Sequence, residues 1–182
     1  AFDLPDTVSG KRVSLADLQA KPALLVMFIC NHCPFVKHIR AELAKLGRDY
    51  GARVAMVAIS SNDAEKYPDD GPAKMKSEAA AAGYTFPYLY DESQSIAKAY
   101  QAACTPDFFL FGKDRKLAYR GQLDGGRPRN GKPVTGAGLV GQYYRSPEPT
   151  SLTFDGNDFA PSSPQEAKRL GIETRPVLIG PL

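Results

Sequence analysis

The fold of this 182-residue chain is decided by the stretch Leu24-Leu25-Val26-Met27-Phe28-Ile29-Cys30-Asn31-His32-Cys33-Pro34. Its first six residues are all apolar, which is typical of a strand that is covered on both faces of a sheet. The last five hold two cysteines in CxxC spacing, and a helical pattern follows them directly. The stretch therefore predicts two thiols where a buried strand ends and a helix begins.

A βαβ unit is predicted around this stretch. After the motif, apolar residues recur at spacings of three, four and three, which is one face of a helix: Val36, Ile39, Leu43 and Leu46. Gly47 or Gly51 is expected to end that helix. A second apolar run at residues 54–59 predicts another buried strand, parallel to the first and joined to it by a right-handed crossover.

The remaining segments extend this unit into an α/β sandwich around a mixed sheet. Residues 1–23 predict an N-terminal hairpin followed by a short helical turn, and residues 74–82 and 94–103 predict helices. Residues 86–89 predict a short strand, which its proline places at an edge of the sheet. Residues 107–121 predict an antiparallel hairpin.

The chain is predicted to be one domain with a tail. Its length suits a single domain, which we expect to span residues 1–137. Glycine and proline are frequent in residues 138–182, so this segment is expected to form an irregular tail of unknown role.

Composition excludes several classes of protein. The net charge of +3 comes from basic residues that are spread along the chain, so no nucleic-acid partner is predicted. The longest apolar runs are far shorter than the roughly 20 residues that cross a bilayer, so no membrane span is predicted. Three cysteines are too few for a disulfide-stapled secreted scaffold. A cytoplasmic location is therefore expected.

The CxxC motif predicts redox chemistry. Two features are expected to lower the pKa of a motif thiol. One is the N-terminus of the following helix, which has Pro34 in its first turn, and the other is a protonated His32. A stabilised thiolate makes the corresponding disulfide more oxidising, so a less reducing couple is expected. Structural zinc is the main alternative, but zinc takes four ligands, and outside the motif thiols only His32, His38 and Cys104 remain. No resident metal or organic cofactor is predicted.

A second informative site is Cys104-Thr105-Pro106. Pro106 leads into the predicted strand that begins at residue 107, which makes the bond before it a candidate for a cis peptide.

With these residues in place, the chain resembles the thioredoxin-like superfamily, and within it the AhpC/TSA-related, peroxiredoxin-like group. The resemblance rests on four segments and spans about residues 2–137: residues 28–38, residues 58–63 with 67–70, residues 86–91 and residues 103–110. It implies a thioredoxin-like three-layer sandwich. It also implies that Cys30 is an exposed attacking thiol, that Cys33 resolves its mixed disulfide, and that Thr105 presents its backbone to a substrate beside a cis Pro106.

The same resemblance implies two further roles. In true peroxiredoxins the peroxidatic cysteine corresponds to Cys33. A threonine stands where this chain has Cys30, and an activating arginine stands near Pro106, where this chain has none.

The resemblance also implies that Cys104 lies close to the motif, and we expect this cysteine to be a small buried hydrophobe. The alternatives for Cys104 are a third redox thiol or a soft-metal ligand beside Cys30 and Cys33.

Three functions are therefore carried forward. The first is a thiol-disulfide oxidoreductase that acts on a protein or small-molecule disulfide and is served by a reducing partner such as a thioredoxin or glutathione system. The second is a thiol peroxidase that acts through Cys33. The third is a soft-metal binding protein that uses Cys30, Cys33 and Cys104.

Overall fold

The computed structural model describes residues 1–135 of the chain. The predicted tail, residues 138–182, lies outside the described residues, and so does the predicted domain boundary at residue 137. Both stay predictions.

Short strands and three α-helices alternate along the described chain. The strands are β1 (Asp3–Pro5), β2 (Arg12–Ser14), β3 (Ala23–Phe28), β4 (Val54–Ser60), β5 (Tyr88–Tyr90), β6 (Asp107–Phe111) and β7 (Leu117–Gly121). The α-helices are α1 (Pro34–Tyr50), α2 (Pro72–Ala82) and α3 (Ser95–Tyr100), and short 3-10 helices span Ala16–Leu18 and Pro68–Asp70.

The central sheet is mixed, as predicted. Its five strands lie in the order β5-β4-β3-β6-β7. β3 runs parallel to β4, and β4 runs parallel to β5, whereas β6 is antiparallel to both β3 and β7. The βαβ unit and the edge position of β5 are thereby confirmed.

β3 is buried along its whole length because both faces of the sheet are covered. Leu25 and Met27 belong to a core cluster with residues of α1 and α2. Val26 and Phe28 belong to a second cluster that includes residues of the N-terminal hairpin and of α3. Side chains alternate between the faces of a strand, so this unbroken apolar run feeds both cores. The structure confirms the predicted three-layer sandwich.

The N-terminal hairpin of β1 and β2 covers the edge strand β5. Asp6 follows β1 and is buried, and its Oδ1 accepts a hydrogen bond of 3.0 Å from the backbone N–H of Tyr88. The backbone N–H of Thr7 donates to the carbonyl oxygen of Tyr88 at 3.0 Å. These bonds satisfy backbone groups that an edge strand would otherwise expose.

Helix α1 begins directly after the motif and ends where glycine was expected. Its last residue is Tyr50, and the N–H of Gly51 donates to the carbonyl oxygen of Gly47 at 3.1 Å. A Cβ atom on Gly47 would lie 2.5 Å from Thr85 Oγ1. Glycine at this position therefore lets α1 approach the segment before β5 closely.

Helix α3 is shorter than predicted. Residues 94–103 were expected to be helical, but the helix ends at Tyr100 because Gln101 adopts the left-handed conformation, with φ 54°. The N–H of Gln101 donates to the carbonyl oxygen of Lys98 at 3.0 Å, which closes the last turn. Residues 102–106 consequently form a loop that leads into β6.

Within residues 1–135, no helix combines the length and the apolar character that crossing a membrane requires.

The packing of α1 against the sheet predicts a large effect of truncating Leu43. Its side chain lies on α1 and is fully buried in the first core cluster, which also contains residues of β3. Leu43→Ala should lower the free energy of unfolding by about 2–5 kcal/mol through lost burial and a new cavity. Urea unfolding followed by circular dichroism measures this loss.

The matched control is Lys45→Ala on the exposed side of the same helix. Lys45 makes only a 3.4 Å ion pair with Glu42, so its loss should cost at most about 0.5 kcal/mol. Equal losses in the two variants would contradict the assignment of Leu43 to the core.

Candidate active site

The CxxC motif lies between the carboxyl end of β3 and the first turn of α1. Cys33 is the residue that precedes the helix, and Pro34 is its first residue. Both motif cysteines are free thiols. The predicted position of the two thiols is confirmed. The expected exposure of Cys30 is wrong, because its exposed fraction is 1%, against 8% for Cys33.

The loop before β6 contacts both thiols through one residue. The Thr105–Pro106 peptide bond is cis. Thr105 Oγ1 lies 3.3 Å from Cys30 Sγ, and the carbonyl oxygen of Thr105 accepts a hydrogen bond from Cys33 Sγ at 3.3 Å. The backbone that was expected to meet a substrate is therefore occupied by Cys33 in the reduced protein.

A buried carboxylate holds the loop of the motif in place. Asp70 is fully buried, and its Oδ1 accepts the backbone N–H groups of Asn31 at 2.7 Å and of His32 at 3.0 Å. Its Oδ2 accepts a hydrogen bond from Asn62 Nδ2 at 2.5 Å and another from His32 Nδ1. Asp70 thus joins the motif to the end of β4 and to the turn before α2.

The imidazole of His32 is fixed by three neighbours. Its ring stacks on that of Tyr67, with centroids 4.4 Å apart and planes 3° from parallel. Its Nδ1 contacts Asp70 and lies 3.7 Å from Cys30 Sγ. A carboxylate only accepts hydrogen bonds, so Nδ1 carries the proton. That proton is directed at Asp70, so His32 Nδ1 offers the sulfur of Cys30 neither a base nor a free hydrogen-bond donor.

The electrostatics of Cys30 differ from the sequence-based expectation. Burial raises the pKa of the Cys30 thiol, and the negative charge of Asp70 raises it further. Hydrogen bonds from the Thr105 hydroxyl and from the backbone N–H of Cys33 offset only part of this increase in pKa. The expected lowering of the pKa is wrong for Cys30 because local helix geometry is outweighed by the loss of solvent.

Cys104 lies in the loop between α3 and β6. The expectation of a buried small hydrophobe is wrong, because the residue is exposed. Partial desolvation and the charge of Asp107 nevertheless raise the pKa of its thiol.

The family resemblance rests in part on residues 58–63 and 67–70, but sequence analysis assigned no role at the motif to the residues there that organise it from a distance. Asp70, Asn62 and Tyr67 all contact His32, and Tyr88 Oη donates to Asn31 Oδ1 at 3.1 Å. These residues are far from the motif along the sequence, 38 residues in the case of Asp70 and His32, so no local sequence pattern predicts the contacts. One signal was available: Asn62 follows β4, so it lies at the same edge of the sheet as the motif that follows β3.

The three donor types at this site form a compact group. Within residues 1–135, one group of His, Cys, Asp or Glu side chains brings its ligand atoms within 4.8 Å of one another. It consists of Cys30, His32 and Asp70. Cys104 is not part of this group, so the three-thiol metal site considered from the sequence is not assembled.

The sequence matches the AhpC/TSA family over residues 1–120. No curated protein matches the chain. An uncharacterised conserved protein from Geobacillus kaustophilus is 56% identical, with a TM-score of 0.74 over 76% of this chain and 74% of that chain. A hypothetical protein from Sinorhizobium meliloti is 55% identical, with a TM-score of 0.74 over 76% of each chain.

A more distant structure shows the same fold. A secreted disulfide oxidoreductase from Mycobacterium tuberculosis is 20% identical, with a TM-score of 0.60 over 78% of this chain and 93% of that chain. A thioredoxin-like protein solved in the oxidised form is 23% identical, with a TM-score of 0.56 over 65% of this chain and 77% of that chain. The described residues therefore have a thioredoxin-like fold, and the family match supports a redox function. The chain belongs to the AhpC/TSA family.

Proposed function

We propose that the protein is a thiol-disulfide oxidoreductase in which Cys30 and Cys33 alternate between a dithiol and a disulfide. The observation that supports this most strongly is the contact of both sulfurs with Thr105, next to a cis peptide bond. Membership of the AhpC/TSA family supports redox chemistry, and a disulfide oxidoreductase shares the fold.

Hydrogen bonding assigns different roles to the two cysteines. Cys30 Sγ is near the Thr105 hydroxyl and the backbone N–H of Cys33, both of which can donate to a thiolate. Cys33 Sγ instead donates to the carbonyl oxygen of Thr105, an oxygen that has no hydrogen to donate to a thiolate. Cys30 is therefore the attacking thiol and Cys33 the resolving one.

The reaction then transfers two electrons in two exchange steps. The Cys30 thiolate attacks one sulfur of a substrate disulfide, a mixed disulfide forms, and the other substrate sulfur leaves as a thiolate that takes up a proton. Cys33, once deprotonated, attacks the sulfur of Cys30 and releases the second substrate thiol. A reducing partner such as a thioredoxin or glutathione system restores the dithiol.

Access to Cys30 requires a side chain to move. The thiol is buried, and the neighbours that contact its sulfur include the half-buried His32 and Thr105. Two exposed apolar side chains, Phe35 in the first turn of α1 and Tyr67 on the ring of His32, flank the motif. These side chains suit a polypeptide that carries the substrate disulfide.

The raised pKa of Cys30 supports a reducing couple, because a dithiol whose thiolate is little stabilised is a better reductant than one with an acidic cysteine. The less reducing couple expected from His32 stays a prediction, which the reduction potential of the Cys30–Cys33 pair would test.

The division of roles predicts the behaviour of two cysteine variants. Cys30→Ser should reduce insulin disulfides no faster than the uncatalysed background, because no other thiol takes the attacking position. Cys104→Ser is the matched control and should keep full activity, since its thiol lies outside the motif. Full activity of Cys30→Ser would overturn the proposed function.

The pKa of Cys30 predicts slow alkylation at neutral pH. In Cys104→Ser protein, with a chelator present, the iodoacetamide reaction of Cys30 should rise with pH around a midpoint above that of the same thiol in urea-unfolded protein. Peptide mass spectrometry separates Cys30 from Cys33. A midpoint below the unfolded value would show an acidic thiol and contradict the structure.

A second candidate function is peroxide reduction by Cys33, which membership of the AhpC/TSA family favours. The hydrogen bond from Cys33 Sγ to a carbonyl oxygen opposes it, because that oxygen cannot stabilise a thiolate or a leaving hydroxide. Stopped-flow measurement with hydrogen peroxide should give a rate no greater than that of free cysteine. A rate that is far higher, and is lost in Cys33→Ser, would favour the peroxidase.

A further inference from the structure

Three chemically different donors meet beside the motif. Cys30 Sγ, His32 Nδ1 and an oxygen of the Asp70 carboxylate all lie within 4.8 Å of one another. A thiolate, an imidazole and a carboxylate are the three side-chain ligands that zinc takes in proteins. The redox proposal uses only one of them as a reacting atom.

We infer that, in the reduced protein, Cys30, His32 and Asp70 bind a divalent ion of the zinc type. The fourth position is left to water. Ion binding and the Cys30–Cys33 disulfide exclude each other, because a sulfur within a disulfide has no thiolate to offer. The ion site itself does not depend on the proposed disulfide exchange.

The spacing of sulfur and nitrogen fits a shared ion. Zinc bonds of about 2.3 Å to sulfur and about 2.0 Å to nitrogen, at a tetrahedral angle, separate these two atoms by about 3.5 Å. Cys30 Sγ and His32 Nδ1 are 3.7 Å apart. His32 Nδ1 and Asp70 Oδ2 are in direct hydrogen-bond contact, closer than the separation of about 3.3 Å between two such ligands of one zinc ion, so the half-buried imidazole would move away from Asp70 to admit the ion.

The donors are held by a surrounding shell of contacts. Oδ1 of Asp70 is bound to two backbone N–H groups of the motif, which leaves Oδ2 directed at His32. Asn62 Nδ2 donates to Oδ2, and Tyr67 stacks flat on the imidazole. Such outer contacts orient metal ligands in established sites.

Charge favours a divalent ion at this position. The thiolate of Cys30 and the carboxylate of Asp70 would place two negative charges close together, in a part of the protein where both residues are buried. A divalent cation between them would neutralise both charges.

Binding of the divalent ion moves protons but changes no oxidation state. The thiol of Cys30 gives up its proton to solvent as the sulfur-metal bond forms. The imidazole proton leaves Nδ1 and a proton is taken up at Nε2, so that the neutral ring binds through Nδ1. No electron is transferred, and one proton is released in total.

Cobalt is the probe that tests this assignment. Reduced, full-length protein titrated with Co²⁺ should bind one ion per chain and show a thiolate-to-cobalt charge-transfer band, which Zn²⁺ then removes. The band should be absent in Cys30→Ser and in the oxidised protein. His32→Gln and Asp70→Asn should weaken cobalt binding at least about tenfold.

Two matched controls separate this site from a thiol-only site. Cys33→Ser removes a motif thiol and Cys104→Ser removes the third cysteine, and both variants should bind cobalt as the unaltered protein does. Loss of the band in either control would overturn the ligand set, as would unchanged affinity in His32→Gln or absence of a band in the unaltered protein.

The variant Asp70→Asn removes a buried carboxylate, so its far-ultraviolet circular dichroism must match that of the unaltered protein before it is used. If it does not fold, His32→Gln decides the question, because that side chain is only half-buried. Disulfide exchange is measured separately with insulin, so a negative cobalt titration would leave the proposed function standing.

Discussion

The buried carboxylate of Asp70 is the constraint on which the arrangement of the motif depends. It accepts two backbone N–H groups of the loop between β3 and α1, and it also binds Asn62 beyond the end of β4. A fully buried carboxylate without these donors would be strongly unfavourable, so the donors and the carboxylate stabilise one conformation together. The loop is thereby fixed before any substrate arrives.

The same carboxylate acts on the two side chains that it adjoins. It accepts the Nδ1–H of His32, so that proton is not available to Cys30 Sγ, which lies 3.7 Å from Nδ1. Burial raises the pKa of the Cys30 thiol, and the negative charge of Asp70 raises it further. The site therefore disfavours a free thiolate at Cys30, which suits a reducing dithiol or a sulfur bound to a cation.

Disulfide exchange and ion binding would share the sulfur atom of Cys30. Disulfide exchange needs Cys30 to be released towards Cys33 or a substrate, whereas an ion beside His32 and Asp70 would hold it in place. Thr105 contacts both thiols. The oxidation state of the pair would then decide whether disulfide exchange or ion binding is possible.

Much of the fold could be predicted from the sequence, because the patterns that determine it are local. The apolar run of β3 and the helical spacing of Val36, Ile39 and Leu43 predicted the βαβ unit, and both patterns arise from burial within single elements. The length of helix α3 was overestimated because the helix ends at Gln101, which adopts the left-handed conformation. Glycine is the usual residue in that conformation, so a glutamine there gives no sign in the sequence that the helix ends. The CxxC and its place between β3 and α1 were also evident from the sequence.

The layers of the sandwich, the order of its elements and the position of two thiols at a helix start were predictable from the amino-acid pattern, since they follow from periodicity and spacing. Three-dimensional packing was needed to show that Asp70, 38 residues away, binds His32, that Cys30 is buried, and that Cys104 is exposed. Desolvation and charge at a site depend on which distant segments cover it. That covering is a property of the packed chain and not of any short stretch within it.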